Sequence, residues 1–237
     1  MKTILLTFLS VLSIQFAIAQ GSKPVLLVSG KALNERNMQP VDVDVRVVYE
    51  ELPSGKQAGI ARINPMDGSY KIILPYGKRY SYMAIAEGYY SVTNNLDVSD
   101  LNEYQEVDEQ NLFLAPLMVD QVVRINNLFF KDKTAELLPE SYFELDRFVE
   151  FLKLNKKIKI ELGGHTDNVG GLQENMDLSL KRAEVVAEYL KKNKIKADRI
   201  EVKAYGPTRP IGFNNNEEGR AMNNRIEFKV LSLDYKS

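Results

Sequence analysis

Residues 158–190 read IKIELGGHTDNVGGLQENMDLSLKRAEVVAEYL, and the order of patterns in this stretch decides the fold of the second half of the chain. Ile158, Ile160 and Leu162 alternate with Lys159 and Glu161, the two-residue period of a strand with one buried face. A glycine-flanked polar run follows, Gly164-His165-Thr166-Asp167-Asn168-Val169-Gly170. Ala183, Val186, Ala187 and Leu190 then share one stripe at helical spacing, and Ser179 is placed to cap that helix. The polar run therefore occupies a strand-to-helix loop, where a sheet end displays its side chains. With Ser179 as N-cap, Arg182 falls in the first turn and opposes the helix dipole at a cost of roughly 0.3–1 kcal/mol. Such a cost points to another use for the arginine. Spacing alone leaves two uses open: a ligand contact, or an intramolecular Asp167–Arg182 pair that holds the loop.

Outward from this stretch, residues 122–130 have strand character. Pro139-Glu140-Ser141 opens a run in which Leu145, Phe148, Val149 and Leu152 recur at i, i+3, i+4 and i+7. Ile200, Val202 and Ala204 predict one further strand, and Ile226, Phe228 and Val230 another. The order β-α-β-α-β-β over residues 119–237 predicts a two-layer domain with helices on one sheet face. Residues 20–116 carry period two instead, at 25–28, 41–48, 70–74 and 80–86. Turn clusters at 53–55, 64–68 and 76–78 separate these runs. Val41, Val43, Val45 and Val47 alternate with polar residues, so that strand is expected to bury one face. The chain as a whole reads as α+β: an N-terminal all-β sandwich, then the two-layer domain, with the boundary near Pro116.

Composition narrows function. At 237 residues the chain has room for one large domain or two small ones. It contains no Cys, which excludes a disulfide-stapled miniprotein, and 27% charged residues place it among ordinary globular sequences. A formal charge of -1 gives no bulk attraction to nucleic acid. Residues 20–118 hold nine Lys+Arg against 13 Asp+Glu, and residues 119–237 hold 21 against 19. Neither half carries an extreme field, so partner choice must come from a site. No run of 18 apolar residues exists, and no transmembrane segment is expected in the mature chain. Residues 1–19 have the form of a signal peptide: Lys2, an apolar run from Ile4 to Phe16, and Ala17-Ile18-Ala19 before the cut. The mature chain is expected to begin at Gln20, exported and without a lipid anchor, since no Cys stands at the cleavage point.

GHTDNVG, Asn175, LSLKRA at 178–183 and AYGPTRPIGFNNNEEGRAMNNRIEF at 204–228 together resemble the OmpA-like peptidoglycan-binding domain. That family reads GHTDxxG, NxxLSxxRA, GYGxxxP and GRxxNRRVE. The resemblance covers residues 119–237. It implies non-covalent binding of the diaminopimelate residue in the wall's stem peptide. The family's binding aspartate matches Asp167 and its binding arginine Arg182, with Thr166, Asn175 and Arg225 at further polar positions of the motifs. The chemistry suits the ligand, whose free end is a zwitterion: an ammonium for a carboxylate and a carboxylate for a guanidinium fork. Two positions depart from the pattern. Asn224 stands where the family has the first of two arginines, and Ala204 replaces the first glycine of GYG. Val28-Ser29-Gly30-Lys31-Ala32, Gly68-Ser69-Tyr70 and Ala86-Glu87-Gly88-Tyr89 resemble a carboxypeptidase-regulatory-like or transthyretin-like sandwich, without a peptidase's catalytic partner.

The remaining candidates are weaker. His165 is the only histidine, with too few neighbours for zinc and no nucleophile elbow for a triad, so a structural role is expected and no metal or cofactor. Nothing marks a carboxylate pair for glycoside hydrolysis, and no enzyme activity is expected. Lys191, Lys192, Lys194 and Lys196 suit a solvated helix end. Tyr70, Tyr76, Tyr80, Tyr82, Tyr89 and Tyr90 suit half-buried strands better than a sugar platform. An eight-stranded membrane barrel does not fit in residues 20–118. The expected role is an exported, periplasmic wall-binding protein associated with the outer membrane. Attachment there would run through an outer-membrane protein partner on the sandwich. The alternative is an adhesin or envelope scaffold whose sandwich binds a protein or glycan, with the wall domain as its anchor.

Overall fold

The computed structural model describes residues 24–235, so the segment expected to be a signal peptide, with its cleavage at Gln20, lies outside the described residues. In the first half, β1 (Val25–Asn34), β4 (Ser69–Pro75), β9 (Leu112–Pro116) and β6 (Tyr89–Ser91) form a sheet in the order β4-β1-β9-β6, with β8 (Gln105–Val107) also against β1. A second sheet runs β3-β2-β5-β7: Lys56–Arg62, Arg46–Leu52, Arg79–Ile85 and Asn94–Asp97. Alternation explains both. Tyr70, Ile72 and Leu74 of β4 face inward, as do Tyr80, Tyr82 and Ala84 of β5, and the two sets lie in one hydrophobic cluster with Val28, Val47 and Leu114.

The strand expected over 41–48 begins only at Arg46. Val41 and Val45 are buried, but Val43 is 38% exposed. The ladder explains the shift, because the registers of β2 with β3 and β5 both run out at Arg46, opposite Arg62 and Ile85. Without partners the preceding residues take an irregular path.

The second half follows the expected order β-α-β-α-β-β, apart from one added helix between the last two strands. The sheet runs β10-β13-β11-β12 (Val122–Ile125, Arg225–Ser232, Lys159–His165, Ile200–Gly206), with β11 and β12 parallel and β13 antiparallel to both its neighbours. Leu145, Phe148, Val149 and Leu152 of α1 (Tyr142–Leu154) and Ala183, Val186, Ala187 and Leu190 of α2 (Leu172–Lys192) meet Ile160, Leu162, Phe228 and Val230 in a second core. Burying each large apolar side chain contributes about 1.5–3 kcal/mol.

Three expectations need correction. The strand over 122–130 ends at Ile125, because the chain turns at Asn127, which has φ 54°, and Phe130 pairs only through an isolated bridge to Leu137. The long helix starts two turns before Ser179, at Leu172. Gly171 precedes it, and the Glu174 carboxylate reaches back to accept from the Gly171 N–H at 3.2 Å. Ser179 is therefore internal and buried, and Arg182 sits mid-helix, where the dipole argument does not apply. The sequence reading also missed α3 (Glu217–Asn223), capped by Asn216, which accepts from the Gly219 N–H at 2.7 Å.

The halves touch. Arg147 of α1 donates to Glu50 of β2 at 2.6 and 2.8 Å, with Glu144 3.4 Å away. The Gly88 N–H donates to Asn155 at 2.7 Å, and Tyr90 packs edge-on against Phe151 and Phe228. No helix of the described residues is long and apolar enough to cross a membrane.

Candidate functional site

The site is built where β11 ends. Gly164 lies flat against the backbone of α2 at Ser179, and the Thr166 N–H donates to the Gly206 carbonyl at 3.0 Å. Ser179 donates its hydroxyl to the Met176 carbonyl at 2.8 Å and accepts from the Gly206 N–H at 3.1 Å. The serine expected as a cap thus ties α2 to the end of β12, fixing the base of the loop.

Within the loop, Asp167 Oδ1 accepts from the Val169 N–H at 2.8 Å, and Asn175 donates to the Val169 carbonyl at 3.0 Å. Asn175 is 6% exposed and staples the loop to α2, with no hydrogen bond to Asp167 or Arg182 among the described residues. Thr166 is buried, and its Oγ1 has no hydrogen-bond partner. Asn168 donates its N–H to Asn214 at 3.4 Å, and Asn223 holds the Ile211, Gly212 and Asn214 segment through four hydrogen bonds. A second loop is thereby attached to the first.

Arg182 reaches this loop from α2 and is only 6% exposed. Its Nε donates to the Thr134 carbonyl at 2.8 Å, and its guanidinium lies 4.9 Å over the Phe130 ring. One Nη1 N–H goes to Asn224 Oδ1 at 3.1 Å, while Asn224 Nδ2 donates to Asp167 Oδ2 at 2.6 Å. Among the described residues no ion pair within 4.0 Å neutralises Arg182. Burial pushes its pKa down and the Asp167 and Asp132 carboxylates push it up, but an arginine stays charged regardless. Asp167 and Arg182 are therefore joined through one neutral amide and not by a direct pair. The arrangement offers an acceptor for a cation and donors for an anion within the width of that amide.

Arg225 belongs elsewhere. It is 4% exposed and donates to Glu227 at 2.7 Å, to the Arg209 carbonyl at 3.0 Å and to the Asn223 carbonyl at 3.3 Å. None of these contacts reaches Asp167 or Arg182. His165 is buried beside it, stacked on Tyr205 at 4.9 Å, with Nε2 3.2 Å from Glu227 Oε2. His165 and Arg225 hold the Glu227 carboxyl down at about 2, against the opposing effect of burial. A carboxylate lowered in the fold stabilises it above the unfolded-state pKa and loses that contribution as pH falls through the folded value. The melting temperature is accordingly expected to fall between about pH 4.5 and pH 2, with Glu227→Gln flattening that part of the profile. An unchanged profile in the variant would contradict this assignment.

Phe130 and Thr134 have no motif to announce them, Asn214 lies unmarked within the 204–228 stretch, and Asn224 stands out only as a departure from a pattern. Of the six tyrosines named in the first half, three are core and Tyr76, Tyr89 and Tyr90 are half-buried. Tyr70, Tyr80 and Tyr82 are at most 3% exposed and turn their hydroxyls to the Gln110 carbonyl, the Pro75 carbonyl and the Gln110 side chain. Lys191 pairs with Glu188 at the end of α2.

Comparison with known proteins places this geometry. Residues 129–225 match the OmpA family. Outer membrane porin F of Pseudomonas fluorescens is 34% identical over 113 residues, 47% of this chain and 35% of the porin. The peptidoglycan-binding protein ArfA of Mycobacterium tuberculosis is 37% identical over 101 residues, 43% and 31% of the two chains. The peptidoglycan-associated lipoprotein of Pseudomonas putida is 32% identical over 105 residues, 44% and 63%. The chain thus spans between about a third and just under two thirds of the length of these relatives. Among solved structures, the cell wall anchor of the T6SS from Pseudomonas aeruginosa is 30% identical, covers 47% of this chain and 79% of its own, and has a TM-score of 0.41. By the family match, residues 129–225 are a domain of the OmpA family, its motifs set at the end of β11 and along α2.

Proposed function

We propose that this protein is exported and binds peptidoglycan non-covalently through the diaminopimelate residue of the stem peptide. Asp167 receives the ligand's ammonium and Arg182 its carboxylate, while Thr166 and Asn175 shape the loop and Arg225 braces the strand behind it. The observation that carries this reading is a buried guanidinium with no carboxylate partner and three of its five N–H groups without a protein acceptor among the described residues. A buried cation held this way has little to recommend it for stability, and an incoming anion completes it. Relatives named for peptidoglycan binding or association support the wall as the source of that anion. We read residues 1–19 as a signal peptide, 20–116 as a β-sandwich domain and 119–237 as the wall-binding domain. The protein then sits in the periplasm, between the wall and an outer-membrane partner on the sandwich. Its function is binding and not turnover.

Sacculi with diaminopimelate stems, compared with sacculi that carry lysine there, test the reading. Lysine keeps the ammonium and lacks the carboxylate. Pull-down is expected to retain the protein on the first and to retain at least tenfold less on the second, the loss of one charge-assisted bond. Equal retention on both would contradict it.

A further inference from the structure

Asn224 sits between the two charges in a way that suggests what it does there. Its backbone closes α3, with the N–H on the Arg220 carbonyl at 3.0 Å. Its side chain gives one N–H to the Arg220 carbonyl at 3.1 Å and the other to Asp167 Oδ2 at 2.6 Å, and its oxygen accepts from Arg182. A donor thus faces the carboxylate and an acceptor faces the guanidinium. That is the pattern an α-amino acid head presents, with ammonium toward Asp167 and carboxylate toward Arg182.

We propose that the Asn224 amide occupies the zwitterion subsite of the free protein as a neutral stand-in, and that a ligand must displace it. Asn224 then sets the threshold of interaction that a ligand must exceed to enter. This rests on the reading of Asp167 and Arg182 given above. The physical basis is charge: the amide's bonds to Asp167 and Arg182 are ionised on one side only, whereas a zwitterion's are ionised on both and add the Coulombic attraction of opposite charges. A full zwitterion replaces the amide's bonds to Asp167 and Arg182 with stronger ones and wins. A ligand with only an ammonium, or only a carboxylate, breaks the same two bonds to Asp167 and Arg182 and makes one, so it falls below that threshold.

The test is calorimetric titration of the full mature chain and of Asn224→Ala with a diaminopimelate muropeptide and with its lysine counterpart. Removing the stand-in is expected to tighten diaminopimelate binding about five- to tenfold. It is expected to tighten lysine binding by the same factor, because both ligands then escape the same displacement cost and the preference between them is kept. In the wild type, the side-chain amide resonance of Asn224 is expected to shift on titration with the diaminopimelate ligand, as its partners are taken. Unchanged or weaker binding by a folded Asn224→Ala overturns the proposal. In the weaker case Asp167 and Arg182 would have closed on each other, and Asn224 would be a spacer. If the wild type itself fails to bind the diaminopimelate muropeptide, the functional reading fails, and the stand-in goes with it. The two failures are distinguished by the wild-type titration.

Discussion

Arg182→Ala is expected to weaken binding to diaminopimelate-containing wall about ten- to a hundredfold, and Asp167→Ala by a similar factor. Each removes a charge-assisted hydrogen bond of roughly 1.5–3 kcal/mol. Each also leaves the ligand's opposite group engaged while its own partner is missing, so the double variant is expected to cost less than the sum of the two. Arg182→Lys is the sharper substitution. It keeps the charge, but a lysine has no Nε to hold the Thr134 carbonyl and no planar fork to present to a carboxylate. Most of the affinity is therefore expected to go with it. A purely structural Arg182 predicts something else: a lower melting temperature with unchanged binding per folded molecule. Truncating a side chain that lies over Phe130 and bonds Thr134 and Asn224 does cost some stability, so both quantities are needed from the same preparations.

Gly164→Ala carries the largest expected effect on the fold. A Cβ at Gly164 would stand 2.0 Å from the Ser179 carbonyl oxygen and 2.7 Å from its carbon, both of them backbone atoms of α2. No rotamer relieves such a contact, so β11 and α2 must separate. Overpacking of this kind costs about 1–3 kcal/mol, and with backbone on both sides the upper end is expected. That corresponds to a fall in melting temperature of roughly 6–12 °C for a chain of this size. Wall binding is expected to fall as well, because the same contact sets Asp167 on the strand end against Arg182 on the helix. Gly77→Ala is the control: its φ is +82° but nothing lies within 4 Å, so only the backbone penalty of about 1–2 kcal/mol applies and binding is untouched. A folded Gly164→Ala with a melting temperature within a degree of wild type would contradict the packing argument.

The two cores were legible because period reports burial directly. Leu145, Phe148, Val149 and Leu152 all face inward, as do Ala183, Val186, Ala187 and Leu190. The short strands of the first half were less legible. β6, β7 and β8 run three or four residues, too few for alternation to register, and they exist because β9, β5 and β1 offer them edges. The start of α2 escaped because its cap is a glycine with a reaching Glu174 and not a serine. α3 escaped because its seven residues carry almost no apolar stripe, only Gly219 and Asn223 being buried.

The site divided along the same physical line. Asp167 and Arg182 were named by motif, and the fold brings them to either side of one amide. Which groups complete the site depends on chain segments 33 to 57 residues away, and no local pattern encodes that. Phe130 and Thr134 come from the turn after β10, and Asn224 from the end of α3. Arg225, named beside them, is spent on Glu227 and two carbonyls. Its motif position reported proximity in sequence to the site, not a side chain facing it.

The central claim is that Asp167 and Arg182 jointly hold one zwitterion. Its most direct test is calorimetric titration of wild type, Asp167→Ala, Arg182→Ala and the double variant with a diaminopimelate muropeptide, with the melting temperature of each preparation. The account predicts a ten- to hundredfold loss for each single variant and a double loss smaller than the product, in protein that still unfolds cooperatively. Wild-type affinity in both folded single variants would contradict it.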